Sequence, residues 1–198
     1  MYKHFLVNAF PRSGSVFFAS VFNIFKAGGA QFTSLHLPHI IGNDKVDNAV
    51  VIRDPYECIS SLLYKNHSDQ HNIINDYEKY MPIHLDEYMV YVNKCIEFMG
   101  SPHLYVSDFN KLINDPVSEF NNVVEKFSLE YDKKSGLENP SEKIKNNMSS
   151  FNMLNDKDGH MPREKSDLRK TIEDKVYSSI LMSEVYTEYK KLIDNIKN

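Results

Sequence analysis

Apolar residues along this chain fall into short continuous runs and into three- and four-residue repeats, which predict buried strands and amphipathic helices. Residues 5–10 have the character of a buried strand, and an apolar helix is expected over roughly residues 15–26 after a polar turn. The apolar run at residues 48–52 is typical of a strand covered on both faces of a parallel sheet. Shorter strands are expected at residues 31–35 and 103–107.

Helices are predicted to alternate with these strands. Pro55 suits a first helical turn, a stripe at residues 85–99 predicts a helix ended by Gly100, and another helix follows Pro116. One closing amphipathic helix is expected over residues 168–192. The pattern therefore predicts a single α/β domain with three α/β/α layers around a central, mostly parallel sheet.

Two polar stretches interrupt this alternation. Residues 65–81 are rich in Asn, Asp, Tyr and His, and we expect a loop with some short helix there. Residues 130–165 are polar and broken by Gly and Pro, which predicts a long loop or lid.

Composition narrows the range of functions. The chain has 198 residues and a formal net charge of −4, which argues against a general nucleic-acid binder or a membrane-surface protein. Cys58 and Cys95 are the only cysteines, too few for a disulfide framework, and they fit a reducing compartment. With no leader-like or membrane-spanning segment in the sequence, we expect a cytoplasmic protein without a membrane partner.

The turn after the first strand has the character of a phosphate site. Pro11 and Gly14 shape the turn, while Ser13, Gly14 and Ser15 bring backbone N–H groups to a helix N-terminus that favours an anion. Arg12 adds a forked set of cationic donors. No Lys follows Gly14, so an ordinary ATPase or GTPase loop is disfavoured. The alternative is a plain strand-to-helix connection with a surface Arg.

Residues 11–16, Pro-Arg-Ser-Gly-Ser-Val, resemble the 5′-phosphosulfate loop of the sulfotransferases that use 3′-phosphoadenosine 5′-phosphosulfate (PAPS). The family pattern is Pro-Lys/Arg-Ser-Gly-Thr-Thr followed by an apolar helix. The resemblance implies a P-loop sulfotransferase-like fold in which these residues hold the phosphosulfate. Val16 stands where the family has Thr, so one hydroxyl contact is expected to be lost.

His36 is expected at the carboxyl end of a strand, where ligands collect in open α/β sheets. The segment Leu35-His36-Leu37-Pro38 resembles the Lys-Thr-His-Leu-Pro motif of cytosolic sulfotransferases, whose His is the catalytic base. Only the His-Leu-Pro part of that motif is present in this chain, at residues 36–38. A loop histidine without a role is the alternative, and His39 is the nearest competitor for the role of base.

Arg53 and Ser61, eight positions apart, resemble the 3′-phosphate motif Arg-x-Pro-x-Asp-x-x-x-Ser of the same family. Glu57 replaces the Asp, and Ser60 is the alternative register for the serine. An Arg that merely ends a strand and pairs with Asp54 or Glu57 is the competing interpretation. Because this motif follows the first one in the family order, the pair is more specific than either motif alone.

Residues 109–116 resemble the family segment Tyr-Glu-Asp-Leu-x-x-Asp-Pro. Phe109 replaces the Tyr whose ring lies near the adenine, so the resemblance implies that stacking persists without the hydroxyl contact. Asn110 and Lys111 replace the two acids.

The family's Arg-Lys-Gly segment, its last contact to the 3′-phosphate, is absent. Arg163 and Lys165 are the nearest basic substitutes, with Arg169 and Lys170 behind them. A solvated charge cluster is the alternative.

The resemblance implies transfer of a sulfuryl group from PAPS to a hydroxyl or amine of a small-molecule, carbohydrate or peptide acceptor. His36 would take the acceptor proton, and Arg12 with the amides of residues 13–15 would stabilise the leaving 5′-phosphate. No metal is required. Two alternatives stay open: a small-molecule or nucleotide kinase with Asp54 as its metal-binding acid, and a degenerate fold that only binds a nucleotide or a protein partner.

Overall fold

The computed structural model describes residues 4–25, 34–67, 73–130 and 167–197, which form an α/β fold around one small parallel sheet. Its strands are β1 (His4–Ala9), β2 (Ser34–Leu35), β3 (Val46–Ile52) and β4 (Leu104–Asp108). They lie in the order β2-β1-β3-β4, and every neighbouring pair is parallel. The expected α/β class with a parallel sheet is therefore confirmed.

Seven α-helices lie within the described residues. They are α1 (Ser15–Phe25), α2 (Pro55–His67), α3 (Ile73–Glu97), α4 (Phe109–Asn114), α5 (Pro116–Phe127), α6 (Asp167–Ser178) and α7 (Met182–Lys197). A 3₁₀ turn spans Pro38–Ile40. Asp108 and Asp115 cap α4 and α5 by accepting hydrogen bonds from main-chain N–H groups of their first turns. None of the described helices is both long and apolar enough to cross a membrane.

Helices cover both faces of the sheet, because successive strand residues point to opposite sides. Val7, Ala9 and Val51 pack against α1, α4 and α5 on one face. Val50 and Ile52 pack on the other face, against α2, α3, α6 and α7. This double burial explains why β3 is a continuous apolar run rather than an alternating one.

The chain builds the sheet outward in both directions from β1, with β2 on one side and β3 and β4 on the other. The chain leaves β1 through α1 to reach β2 on one side, whereas it leaves β3 through α2 and α3 to reach β4 on the other side. The carboxyl ends of β1 and β3 therefore flank a crevice, which is where open α/β sheets bind ligands. The polar turn at residues 10–14 and Arg53 both lie at this crevice.

The prediction of a loop over residues 65–81 is wrong for most of its length. α2 continues to His67, and α3 begins at Ile73, twelve residues before the start expected at residue 85. Pro82 lies inside α3, although an interior Pro costs about 3 kcal/mol. Burial of Met81 and Leu85 in the core on either side of it offsets this cost.

The single closing helix predicted over residues 168–192 is two helices, with a break between Ser178 and Met182. Ile180, expected on the buried stripe, is 84% exposed. Ser179 accounts for the break, because its main-chain carbonyl accepts from Met182 and its hydroxyl accepts from Leu181.

Several predicted segments lie outside the described residues. These are the first three residues of the strand expected at 31–35 and nearly all of the loop expected at 130–165, including Arg163 and Lys165.

Candidate functional site

The turn between β1 and α1 is tight and carries unusual backbone angles. The Ser13 N–H donates to the carbonyl of Phe10 over 3.2 Å, so this amide, expected to face an anion, is used within the turn, and Gly14 has φ +93°. Arg12 has φ +69°, a left-handed conformation that non-glycine residues adopt at a cost of about 1–2 kcal/mol. Such strain is concentrated at ligand-binding sites.

The turn ends at the N-terminus of α1. The first hydrogen bond of this helix runs from the Phe18 N–H to the Gly14 carbonyl over 3.0 Å, so the amides of residues 15–17 have no acceptor within their own helix. No acidic residue occupies the first helical turn. Val16 lies there in place of a hydroxyl residue, and Ser15 is buried. Amides without an acceptor in their own helix, together with the helix dipole, make this end of α1 suited to an anion.

Arg12 reaches from the turn to the middle of α2. Its Nε donates to the Ser61 hydroxyl over 3.0 Å, whereas the Ser60 hydroxyl donates to carbonyls of its own helix. The geometry therefore selects Ser61 over Ser60 as the serine that faces the turn.

Arg53 links three parts of the site. Its Nη1 donates to the Arg12 carbonyl over 3.2 Å, and its guanidinium lies 4.4 Å from the centroid of the Phe109 ring. Its Nη2 lies 2.7 Å from a carboxylate oxygen of Glu57, the ion pair expected if Arg53 had only a structural role. The buried Tyr88 holds the Arg53 main chain by donating to its carbonyl over 2.7 Å.

Phe109 closes the crevice from the end of β4. A Cβ built on Gly14 would lie 2.5 Å from the ring of Phe109, which means that the turn and the ring fit only because residue 14 is glycine. The arrangement places an aromatic face and a guanidinium next to the phosphate-type turn.

A third arginine approaches from α6. Burial lowers the pKa of the Arg12 guanidinium, and the positive charges of Arg169 and Arg53 lower it further. Arg169 pairs with Glu173 over 3.3 Å, as Arg53 pairs with Glu57. Arg12, Arg53 and Arg169 therefore bring three guanidinium groups close together, and this concentration of positive charge favours an anionic ligand.

The sequence placed Arg169 only behind Arg163 and Lys165. One signal pointed to it: Arg169 and Lys170 occupy the first turn of a helix, where the helix dipole disfavours cations. Carboxylates of the same helix account for both residues, since Arg169 pairs with Glu173 and Lys170 lies 3.6 Å from Asp167.

His36 lies at the end of β2, one strand away from the turn. Its Nδ1 is 2.7 Å from the carbonyl oxygen of Ala9. A carbonyl oxygen only accepts hydrogen bonds, so Nδ1 carries the proton and Nε2 keeps its lone pair when the ring is neutral. The side chain is exposed, as is that of His39, which makes no hydrogen bond comparable to that of His36 among those described.

Asp54 and Cys58 are two further reactive side chains near the crevice. Burial raises the pKa of the Asp54 carboxyl, which caps α2 by accepting from the Tyr56 N–H over 2.9 Å. Burial also raises the pKa of the Cys58 thiol, which keeps it from acting as a nucleophile at neutral pH. Among residues 4–25, 34–67, 73–130 and 167–197, no three His, Cys, Asp or Glu side chains come together as a potential metal site.

The site therefore brings together most of the residues that the sequence singled out: residues 11–16, His36, Arg53, Ser61 and Phe109. Arg163 and Lys165 lie outside the described residues. A comparison with protein-family models matched none for this chain, and a search of the curated proteins found no match either.

Proposed function

We propose that this protein is a sulfotransferase that takes a sulfuryl group from PAPS and transfers it to a hydroxyl or amine acceptor. The observation that carries the proposal is the meeting of three features at one crevice: the anion-favouring turn, Arg53 with Ser61, and His36 on the neighbouring strand end. The finer fold assignment, a P-loop sulfotransferase-like domain, belongs to the same proposal.

The donor has two anionic groups, and we assign each of them to cationic and N–H groups at the crevice. The 5′-phosphosulfate suits the amides at the start of α1 together with Arg12. We assign the 3′-phosphate to Arg53 and to Ser61, whose hydroxyl accepts from Arg12, with Arg169 adding positive charge near Arg12 in place of the missing Arg-Lys-Gly segment. Phe109 offers its ring to the adenine. Arg163 and Lys165 are retained as further candidates for the 3′-phosphate.

His36 serves as the base in this scheme. The acceptor oxygen or nitrogen attacks the sulfur, the bond from sulfur to the 5′-phosphate oxygen breaks, and 3′-phosphoadenosine 5′-phosphate (PAP) leaves with the bonding electron pair. The acceptor proton passes to Nε2 of His36, which is the proton-accepting nitrogen of the neutral ring because Nδ1 donates to Ala9. Neighbouring strands lie about 4.8 Å apart, so His36 is within reach of an acceptor bound beside the turn.

The positive groups at the turn supply charge stabilisation. Negative charge grows on the 5′-phosphate as the bond to sulfur breaks, and fixed N–H groups and guanidinium groups at the turn are oriented before the reaction begins. The scheme requires no metal.

Calorimetric titration with PAP, ADP and ATP with Mg²⁺ tests the donor site. We expect PAP to bind more tightly than ADP, because only PAP carries the 3′-phosphate. Arg53→Ala should weaken PAP binding on the order of 10- to 100-fold, the effect of one charged hydrogen-bonding group. Lys94→Ala is the matched control, since Lys94 also pairs with a carboxylate (Glu97) and lies over a phenylalanine ring (Phe98), but on the far end of α3.

Each other outcome points to a different function. Equal binding of PAP and ADP would make the turn a generic anion site and overturn the proposal. Tight binding of ATP that depends on Mg²⁺ would favour the kinase alternative. Binding of PAP without transfer from PAPS to any acceptor would favour a protein that only binds the nucleotide.

A further inference from the structure

Two buried asparagines fasten residues 36–41 to one face of the sheet. Asn8 of β1 contacts both main-chain groups of Leu37: its Nδ2 donates to the Leu37 carbonyl over 2.8 Å, and its Oδ1 accepts from the Leu37 N–H over 3.1 Å. Asn48 of β3 donates from Nδ2 to the Ile40 carbonyl over 3.3 Å. Both side chains are fully buried.

Asn8 is a polar residue that is fully buried in a strand. Burying an amide in an apolar strand costs free energy unless its donor and acceptor are both satisfied. The side-chain amide of Asn8 satisfies this condition because it both donates to and accepts from the main chain of Leu37, as a neighbouring strand would. It does so just beyond Leu35, where the pairing of β1 with β2 ends. The Tyr91 hydroxyl also approaches Asn8 Oδ1 at 3.5 Å from α3.

The hydrogen bonds between Asn8 and Leu37 also constrain His36, the residue before Leu37. With the Leu37 main chain fixed to Asn8, the ring of His36 lies over the following residue of β1, and its Nδ1 donates to the Ala9 carbonyl over 2.7 Å. This bond fixes the tautomer that leaves Nε2 as the proton acceptor. We propose that Asn8 is a positioning residue for His36, holding the ring in the orientation and tautomer that a base requires; the catalytic part of this inference rests on the proposed function.

Asn48 provides a matched control. It is equally buried and lies on the same sheet face, but its Nδ2 donates to the carbonyls of Val46 and of Ile40, which is four residues from His36. A merely structural role for Asn8 predicts that Asn8→Ala and Asn48→Ala have similar effects on the His36 ring. A positioning role predicts that only Asn8→Ala changes it.

Long-range proton–nitrogen correlation spectra of the ¹⁵N-labelled full chain report the tautomer of each histidine, and His36→Gln assigns the His36 signals. In the wild type we expect neutral His36 to carry its proton on Nδ1. Asn8→Ala should shift the ring toward a mixture of tautomers, whereas Asn48→Ala should leave it unchanged. Wild-type His36 protonated on Nε2, or an unchanged ring in Asn8→Ala, would overturn the proposal. Asn8→Ser, which is too short to contact both groups of Leu37, is the second variant if Asn8→Ala does not fold.

Turnover separates this inference from the proposed function. Asn8→Ala should lower kcat about 10- to 100-fold through misplacement of the base, with KM for PAPS and PAP affinity within twofold of wild type. An unchanged kcat in Asn8→Ala would reject the positioning role even if the ring changes. Absence of transfer by the wild type would reject the proposed function instead, while the ring signals of the two alanine variants would still decide what Asn8 does to His36.

Discussion

Gly14 combines two constraints that predict a large effect of a single methyl group. Its φ of +93° disfavours any residue with a Cβ, at about 1–2 kcal/mol. An alanine Cβ would also lie 2.5 and 2.6 Å from two ring atoms of Phe109, and overpacking of this kind costs about 1–3 kcal/mol. Gly14→Ala should therefore lower the free energy of unfolding by about 2–5 kcal/mol, a large part of the roughly 5–15 kcal/mol typical of a domain.

Two other glycines serve as controls for this measurement. Gly42 has φ +88°, and a Cβ there would lie 2.5 Å from the Phe98 ring, outside the candidate site. Gly100 has no atom within 4 Å of an added Cβ. Urea denaturation should show similar losses for Gly14→Ala and Gly42→Ala, and a change of about 1 kcal/mol or less for Gly100→Ala. PAP titration should show weakened binding in Gly14→Ala alone.

Phe109→Leu separates the two costs of Gly14→Ala. If the ring contact contributes, Gly14→Ala should be less destabilising in the Phe109→Leu background, with a coupling energy on the order of 1–2 kcal/mol. The remaining cost then belongs to the backbone angle. A loss below about 1 kcal/mol for Gly14→Ala, or wild-type PAP affinity in that variant, would refute the reasoning that joins the turn, the ring and the ligand.

Three further predictions concern the base, a half-buried acid and a helix end. His36→Gln should lower turnover at least about 100-fold while PAP affinity stays within twofold; unchanged turnover would reject His36 as the base. Asp54→Asn keeps the cap of α2 but removes the titrating group. Burial raises the folded-state pKa of Asp54 above its unfolded value. The free energy of unfolding of the wild type, compared with that of the variant, should therefore fall as pH rises from about 4 through the folded-state pKa. Denaturation of both proteins across that range checks this, and a difference that does not vary with pH would contradict it. Ser128, which ends α5 with φ +52°, should gain about 0.5–1 kcal/mol of stability on substitution by Gly with PAP binding unchanged; a loss of stability would show that the serine side chain, rather than its backbone angle, determines this end.

Local patterns in the sequence were sufficient for the elements that carry the site. The apolar run ending at Ile52 predicts a strand buried on both faces, and Arg53 follows it as a consequence. Pro55 marks the start of α2, and the turn between β1 and α1 follows from Gly14 and the flanking apolar runs. Each of these features depends on residues within a few positions of each other, where propensity and burial agree.

Tertiary packing decided the remaining features. Pro82 reads locally as a helix boundary, and only the burial of its neighbours in the core shows that α3 continues through it. The helix break at Ser179 is the reverse case. The sequence there continues a periodic apolar stripe, which predicts one helix, but the chain turns. Periodicity alone does not distinguish these cases, because it records which faces are apolar and not whether the backbone between them is continuous.

The sequence by itself determined the chemistry available to this protein: a cationic turn before an apolar helix, an arginine and a histidine at predicted strand ends, and an aromatic residue after the last strand. Only the tertiary structure decided which of these meet. It brought Ser61 rather than Ser60 to Arg12, added Arg169 from a distant helix, and fixed the His36 ring through Ala9 and Asn8. These contacts join residues 27 to 157 positions apart, and such distances are set by the order of strands in the sheet, which no local pattern encodes.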